Sequence, residues 1–340
     1  MPFKVSYKAI NSPFINPFTI AKGTKTHQPA LIVKLEFVGL SGYGEAPAIA
    51  YYNIPVDKMI EDLESKRAVL EKFSLTDSER FWHFLHHLFP GNSFLVCALD
   101  MAGWDLFGKL KRKPLFELWN LDPKQAPLTD FTIGIDSPEV MIEKMRKMPW
   151  PIYKVKVGFD GDIEVLKKLR ANTDAIFRVD ANEGWSLEQA LEKIPQMKEL
   201  GVELVEQPLN KDDWEGMKKL YAASSLPIFA DESCVKEHDV LKCVGKFHGI
   251  NIKLTKCGGI TPARRMIQKA REEGLQVMLG CMNETSLGSA ALAHLAPLVD
   301  KIDMDGPLLL GEDTASGLSF EKGRIIFPTG PGLAVTVKDF

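Results

Sequence analysis

From residue 128 onward, short apolar segments alternate with helix-like stretches at a nearly constant interval. The segments end near Thr132, Lys156, Asp180, Glu206, Asp231, Lys253, Gly280 and Asp303, so successive ends lie 22 to 27 residues apart. One strand, one loop and one helix fill such an interval, and this unit builds parallel sheets. Eight of them predict a closed barrel rather than an open doubly wound sheet. The stretch "GGITPARRMIQKAREEG" shows the helical half, with Pro262 near the first turn, apolar Ile267 and Ala270, and Gly274 as terminator.

A barrel changes the meaning of polar residues at strand ends, because barrel enzymes assemble their sites there. In "IYKVKVGF" (152–159), Tyr153, Val155 and Val157 share one face while Lys154 and Lys156 share the other. Asp180 ("RVDANEGW"), Glu206 ("LVEQPL") and Asp231 ("IFADES") end three consecutive segments, and Lys253 ("NIKLTK") ends the next. Three carboxylates converging on one mouth repel one another unless a cation lies between them. Oxygen ligands of this kind suit Mg²⁺, with Mn²⁺ a possible substitute. Lysines on the second and sixth strands flank a bound substrate from opposite sides, one neutral to accept a proton and one charged to donate it. Such a site is expected to lower a lysine pKa. Lys256 falls three residues beyond the strand, so Lys253 is the preferred base.

Residues 1–120 have a different texture. "KVSYKAI" and "ALIVKLEF" predict strands joined by a flap, "TIAKGTKTHQ", and helices are predicted over 57–70, 77–89 and 94–110. Thr76 is the expected N-cap of the second helix, with Glu79 completing a capping box. His83, His86 and His87 lie within that helix without a carboxylate at ligand spacing, which favours packing or surface roles. A formal charge of -3 and the lack of a long basic run give no reason to expect nucleic acid. No apolar run approaches the roughly 18 residues of a membrane span. Five widely spaced cysteines without a CxxC pair, and no leader-like N-terminus, predict a reducing, cytoplasmic setting.

Taken together, these motifs resemble the enolase superfamily, and within it the muconate-lactonizing subgroup. "KVKVG", "DANEGW", "VEQP", "DES" and "NIKLTKCGG" match its strand segments, "CALDMAGWDLFGK" its capping helix and "PGLAV" its returning tail. The resemblance implies an α/β fold: a modified TIM barrel, (β/α)7β, with an N-terminal α+β capping domain. It divides the chain into 1–120 (capping), 121–315 (barrel) and 316–340 (a segment returning to the cap). It makes Asp180, Glu206 and Asp231 the Mg²⁺ ligands, Lys156 and Lys253 the acid/base pair, and Lys154 a holder of the substrate carboxylate. Asn182 and Glu232 become outer supports of the ligands.

The reaction is set near the eighth strand. Asp303 and Asp305 form a DxD that resembles the dipeptide epimerases, where the pair holds the substrate's α-ammonium. Alternation sends both side chains to one side, and two acids suit an ammonium better than an anionic substrate. "GCMNETSLG" is similar to those enzymes' seventh-strand segment, which puts Met282 and Thr285 in the pocket and Glu284 toward its polar rim. Cys281 and His294 are expected to be packed residues. The flap (Phe18, Ile20, Lys22, Lys25) with Tyr51 and Tyr52 would read the substrate side chain. No arginine occurs between Met1 and Gln28, so the rigid fork that meets a glutamate side chain is missing, and hydrophobic or broad dipeptides are expected. The rivals are N-acyl amino acid racemization, o-succinylbenzoate synthesis and a non-catalytic metal- or ligand-binding barrel. Homo-oligomerisation is left open.

Overall fold

The computed structural model describes residues 3–338 and 340. Its first layer is an antiparallel sheet of β1 (Lys4–Ile20), β2 (Gly23–Phe37) and β3 (Leu40–Pro47), in that order. The flap is therefore no irregular loop. It is the far end of a hairpin whose pairing runs from Lys4↔Glu36 to Ile20↔Gly23 and lapses between Pro13 and Phe18.

Three helices cover this sheet: α1 (Val56–Leu70), α2 (Ser78–Leu88) and α3 (Ser93–Lys111). The expected capping box at Thr76 and Glu79 does not form. Asp77, one residue on, accepts from the Arg80 amide and caps α2, its charge also matching the helix dipole. Glu79 instead accepts from Arg265 of the barrel. Asn92 caps α3, which is buried on nearly every side because it lies between the sheet and the barrel.

The second unit is a ring of eight parallel strands: β4 (Phe131–Ile133), β5 (Ile152–Lys156), β6 (Ile176–Asp180), β7 (Val202–Glu206), β8 (Ile228–Ala230), β9 (Gly249–Ile252), β10 (Gln276–Gly280) and β11 (Lys301–Asp303). Neighbours pair in sequence order, and a parallel bridge from Thr129 to Ile302 joins the two ends. A helix follows each of the first seven strands. The fold is a (β/α)7β barrel with an antiparallel cap. Every predicted strand end falls within one residue of an observed one. Alternation holds in β5: Tyr153 turns outward, its hydroxyl donating to Met148 O at 2.8 Å, while Lys154 and Lys156 turn inward.

Cap and barrel are bolted together by buried polar contacts. Asp100 on α3 accepts from both the amide (2.9 Å) and the hydroxyl (2.8 Å) of Thr261. Trp82 donates to Gly258 O, and Trp104 donates to the Thr261 hydroxyl. Glu45 on β3 accepts from the amides of Thr285 and Gly288 and from the Thr285 hydroxyl. Near the C-terminus, the Leu333 amide donates to Asp105, and Gly332 O accepts from the Leu115 amide. Among the described residues no helix is long and apolar enough to cross a membrane.

Gly259 makes the Asp100 junction possible. Its φ of 124° and ψ of -172° lie in a region essentially reserved for glycine, and an added Cβ would meet Asp100 Oδ2 at 2.3 Å. Gly259→Ala is expected to cost about 1–3 kcal/mol in urea unfolding. Gly258→Ala, whose Cβ would have nothing closer than 3.6 Å, should cost less. Equal losses would count against this account of the junction.

Candidate active site

The barrel mouth faces the hairpin tip, and between them is a cavity of about 100 Å³. From the barrel, Lys154, Lys156, Asn182, Asp231, Glu232, Lys253, Met282, Asp303 and Asp305 line it; from the cap, Phe18, Ile20, Lys22, Lys25, Tyr51 and Tyr52 do. Fifteen of the residues singled out in the sequence thus meet in one place. Asp180 and Glu206 lie directly beneath, fully buried. One oxygen from each of Asp180, Glu206 and Asp231 lies within 4.8 Å of the others.

The acids are interleaved with the lysines. Lys154 Nζ is 2.7 Å from Glu206, 2.7 Å from Asp303 and 3.2 Å from Asp180. Lys156 donates to Asp180 and Lys253 to Asp231, each at 2.6 Å. Lys256 does not reach the cavity. It donates to Asp231 Oδ1, Asp231 O and Asn251 O, and so holds Asp231 from behind. Asn251 donates to Glu206, and Gln207 accepts from the Asp231 amide. The sequence prefers Lys253 to Lys256 as base but gives no sign of the contacts by which Lys256, Asn251 and Gln207 position the acids. Parity does put Asn251 on the inward face with Lys253, as it puts Lys154 with Lys156.

Burial and charge act in opposition here. Burial raises Glu206 and then Asp180 pushes it further, to about 7; burial and then Asp231 do the same to Glu232. Burial also works against Asp180, but Lys156 and Lys154 outweigh it and hold the carboxyl at about 2. Asp231 is lowered by Lys253 and Lys256 against the same penalty. Burial alone would neutralise Lys253, yet Asp231 and then Glu206 keep its pKa well above the ordinary lysine value. Among the lysines that line the cavity, Lys25 of the flap is brought down to about 8 by burial, then by Lys253 and Lys156.

The donor set fits a divalent cation. Six buried carboxyl groups (Asp180, Glu206, Asp231, Glu232, Asp303, Asp305) face four buried amines (Lys154, Lys156, Lys253, Lys256), a surplus of two negative charges when all are ionised. Burial first, and the neighbouring acids second, raise Glu206, Glu232 and Asp305 to about 7. Asn182 Oδ1 and Glu232 Oε2 are also buried without a hydrogen-bond donor, an arrangement that is rare unless a ligand or ion completes it.

Asp303 and Asp305 also line the cavity, and Lys154, 2.7 Å from both Asp303 and Glu206, joins them to the acid trio. Asp305 accepts from the Thr132 amide at 2.5 Å, and burial, then Asp303, push it to about 7. Asp303 stays below the usual range because Lys154 and Lys156 overcome its burial.

Three expectations need correction. Thr285 is not in the pocket; its hydroxyl donates to Glu45 and it caps the helix Ser286–Leu295. Glu284 turns back to accept from the Met282 amide at 2.6 Å, away from the rim. Cys281 does line the cavity, its thiol kept protonated by burial and by Asp303. His294 is packed, accepting from the Phe116 amide, and His86 stacks on Trp82.

At the tip of the flap, Lys22 pairs with Glu183, which also accepts from the Tyr51 hydroxyl and the Lys211 amide. Glu183 has φ 68°, and Asn182, Gln207 and Asn283 in the strand-end loops also have positive φ. Such strain gathers at functional sites.

Residues 4–119 match the N-terminal domain of mandelate racemase / muconate lactonizing enzyme, and residues 140–340 match the enolase C-terminal domain-like fold. The chain is 46% identical over 334 residues to the L-Ala-D/L-amino acid epimerase of Flavobacterium johnsoniae, covering 98% of this chain and 99% of that one. It is 47% identical over 335 residues to the enzyme of that name from a Maribacter species, covering 98% and 99%. The crystal structure of a dipeptide epimerase from Cytophaga hutchinsonii, complexed with Mg and D-Ala-L-Val, superposes with a TM-score of 0.95 at 27% identity, covering 100% of this chain and 97% of that one. With both domains matched in order along nearly its whole length, this chain belongs to the mandelate racemase / muconate lactonizing enzyme family of the enolase superfamily.

Proposed function

We propose that the chain epimerises dipeptides at the α-carbon of the carboxyl-terminal residue by a magnesium-dependent, two-base proton transfer. The observation that carries this reading is the pair Lys156 and Lys253. They enter one cavity from, or directly after, the second and sixth of eight strands, and so from opposite sides. The epimerase activities named for the relatives support it.

Asp180, Glu206 and Asp231 would hold Mg²⁺, which Mn²⁺ can replace, with Asn182 and Glu232 as outer supports. Bound there, the ion supplies positive charge that stabilises a substrate carboxylate as negative charge builds on it, and that eases deprotonation of the nearby amines. Lys154 orients the same carboxylate. Asp303 and Asp305 take the α-ammonium, which fixes the dipeptide's direction.

A neutral lysine on one face removes the α-proton; the C–H electron pair stays on the carbon and spreads into its carboxylate. The opposite lysine, as ammonium, returns a proton to the other face. One proton leaves, one arrives, and the configuration inverts.

The carboxyl-terminal side chain would be read by Phe18, Ile20, Tyr51 and Tyr52. Lys22 is committed to Glu183 and Glu232, and burial, then Lys253 and Lys156, lower Lys25, so that amine gives up its charge more readily than an ordinary lysine and penalises an uncharged side chain less. Hydrophobic or broad acceptance at this position follows. An acyl substrate would bring no ammonium to Asp303 and Asp305, leaving Asp303 with the Lys154 it shares with Glu206 and Asp180, which disfavours the N-acyl and succinylbenzoate alternatives. A purely binding barrel has no need of opposed lysines. Five free, buried cysteines support a reducing cytoplasmic setting.

An L,L-dipeptide incubated in D₂O with Mg²⁺ should gain deuterium at the second α-carbon and invert there. EDTA should stop both, and added Mg²⁺ restore them. Label at the first residue, or none across a broad dipeptide panel, would refute the proposal.

A further inference from the structure

The ring is thinnest where it closes. Among the described residues, β4 and β11 pair at the single bridge from Thr129 to Ile302, whereas every other junction pairs at least two residues of each strand. The two acids assigned to the α-ammonium sit at this seam. Asp303 ends β11, and Asp305 reaches across to accept from the Thr132 amide of β4 at 2.5 Å. Between them, the Met304 amide donates to the Thr129 hydroxyl at 3.0 Å. Side chains therefore supply much of the joining that strand pairing gives elsewhere.

A further side chain reaches the seam from inside the ring. Arg178 of β6 shares the inward face with Asp180 and is 3% exposed. Its Nη1 donates to Asp130 Oδ2 and to Ile302 O, each at 2.9 Å. Asp130 lies one residue before β4 and Ile302 lies in β11, so one guanidinium grips both edges. Its Nε donates to Glu203 of β7 at 2.8 Å, and Glu203 also accepts from Lys301 of β11 at 2.6 Å. A rigid, always charged fork can hold such acceptors together, which a flexible ammonium does less well.

Asp130 makes that grip consequential. Its carboxyl is fully buried, and Oδ1 has no hydrogen-bond donor. Burial and then Asp303 raise it well above the usual carboxylate range, while Arg178 and Lys154 act against them. Asp130 and Asp303 repel each other when both are charged, and the Arg178 cation offsets that repulsion.

We infer that Arg178 is a positioning residue for the α-ammonium: by clasping β11 to β4 it fixes Asp303 and Asp305 relative to each other. The inference rests on the epimerase reading and adds to it a residue that does not line the cavity. A misplacement of about 1 Å can cost about 100-fold. The ammonium is one residue away from the reacting carbon, so the loss should fall on KM and not on kcat.

The test measures kcat and KM for L-Ala-L-Phe and the Mg²⁺ dissociation constant by calorimetry. Neither KM nor that constant depends on how much enzyme is folded. Arg178→Met should raise KM at least about tenfold, while kcat and Mg²⁺ affinity stay within about threefold. Arg178→Lys, the milder change should the first not fold, keeps the charge without the fork and should raise KM about three- to tenfold. Asp130→Asn keeps an oxygen for Arg178 and should leave KM within about threefold of wild type.

KM unmoved in both Arg178 variants overturns the inference. So does a loss confined to kcat or to Mg²⁺ affinity, which would route Arg178 through Asp180, two residues along β6. Asp130→Asn as harmful as Arg178→Met would put a charge effect in place of the clasp and overturn it too. In each case wild-type turnover keeps the epimerase reading intact. A wild type that epimerises no dipeptide refutes that reading and the inference with it.

Discussion

Lys156→Ala and Lys253→Ala should each lower epimerisation by about 10²- to 10⁴-fold, the usual contribution of a positioned acid or base. The informative difference lies in what each variant retains. With one amine gone, the other can still remove and return a proton on its own face. Each variant should exchange the α-proton of one epimer with D₂O and leave the other epimer untouched, and the favoured epimer should switch between variants. Proton NMR of both epimers in D₂O reads this directly. Lys256→Ala should not show such one-sided exchange, since Lys256 touches Asp231 and Asn251 and does not line the cavity. Two lysine variants that both invert substrate at the wild-type rate would end the two-base mechanism.

The second large effect belongs to Asp303. Lys154 and Lys156 hold it below the usual carboxylate range against the cost of burial, whereas burial and then Asp303 raise Asp305 and favour its protonated form. Asp303→Asn should therefore harm recognition of the α-ammonium more than Asp305→Asn. Losing one partner of a buried ion pair costs about 2–5 kcal/mol, which is roughly 30- to several thousand-fold in kcat/KM for free dipeptides. N-acetylated dipeptides carry no ammonium and should lose far less. A variant that weakens both substrate classes equally would show that Asp303 acts through Lys154 and not on the substrate.

Much of this site was legible in the sequence because a parallel barrel imposes two simple rules. The strands recur at a near-constant interval, and side chains alternate along each strand. Lys154 and Lys156 alternate with apolar neighbours, and the structure turns both into the cavity at the barrel mouth. The rules fail where the backbone leaves the strand. Beyond β10 the chain turns through Asn283 at φ 65°, which ends alternation and sends Glu284 back on its own loop and Thr285 to Glu45. The choice of Asp77 over Thr76 as N-cap is a one-residue shift between two good capping side chains. The hairpin tip was hidden because Pro13, Pro17 and Gly23 suggest a loop, whereas the strands absorb the two prolines in the bulged stretch and continue to Ile20.

The bolts at Asp100, Glu45 and Trp104 have a bearing on how the cavity is covered. With sheet, helices and ring fixed into one frame, the end of the hairpin lies over the cavity, held there by Lys22 and Glu183. That fastening is a charge pair whose lysine is 30% exposed, where dissolved ions weaken attraction, whereas the amines and acids below are shielded from them. Added salt should therefore loosen the pair over the cavity before it weakens the buried amines and acids below.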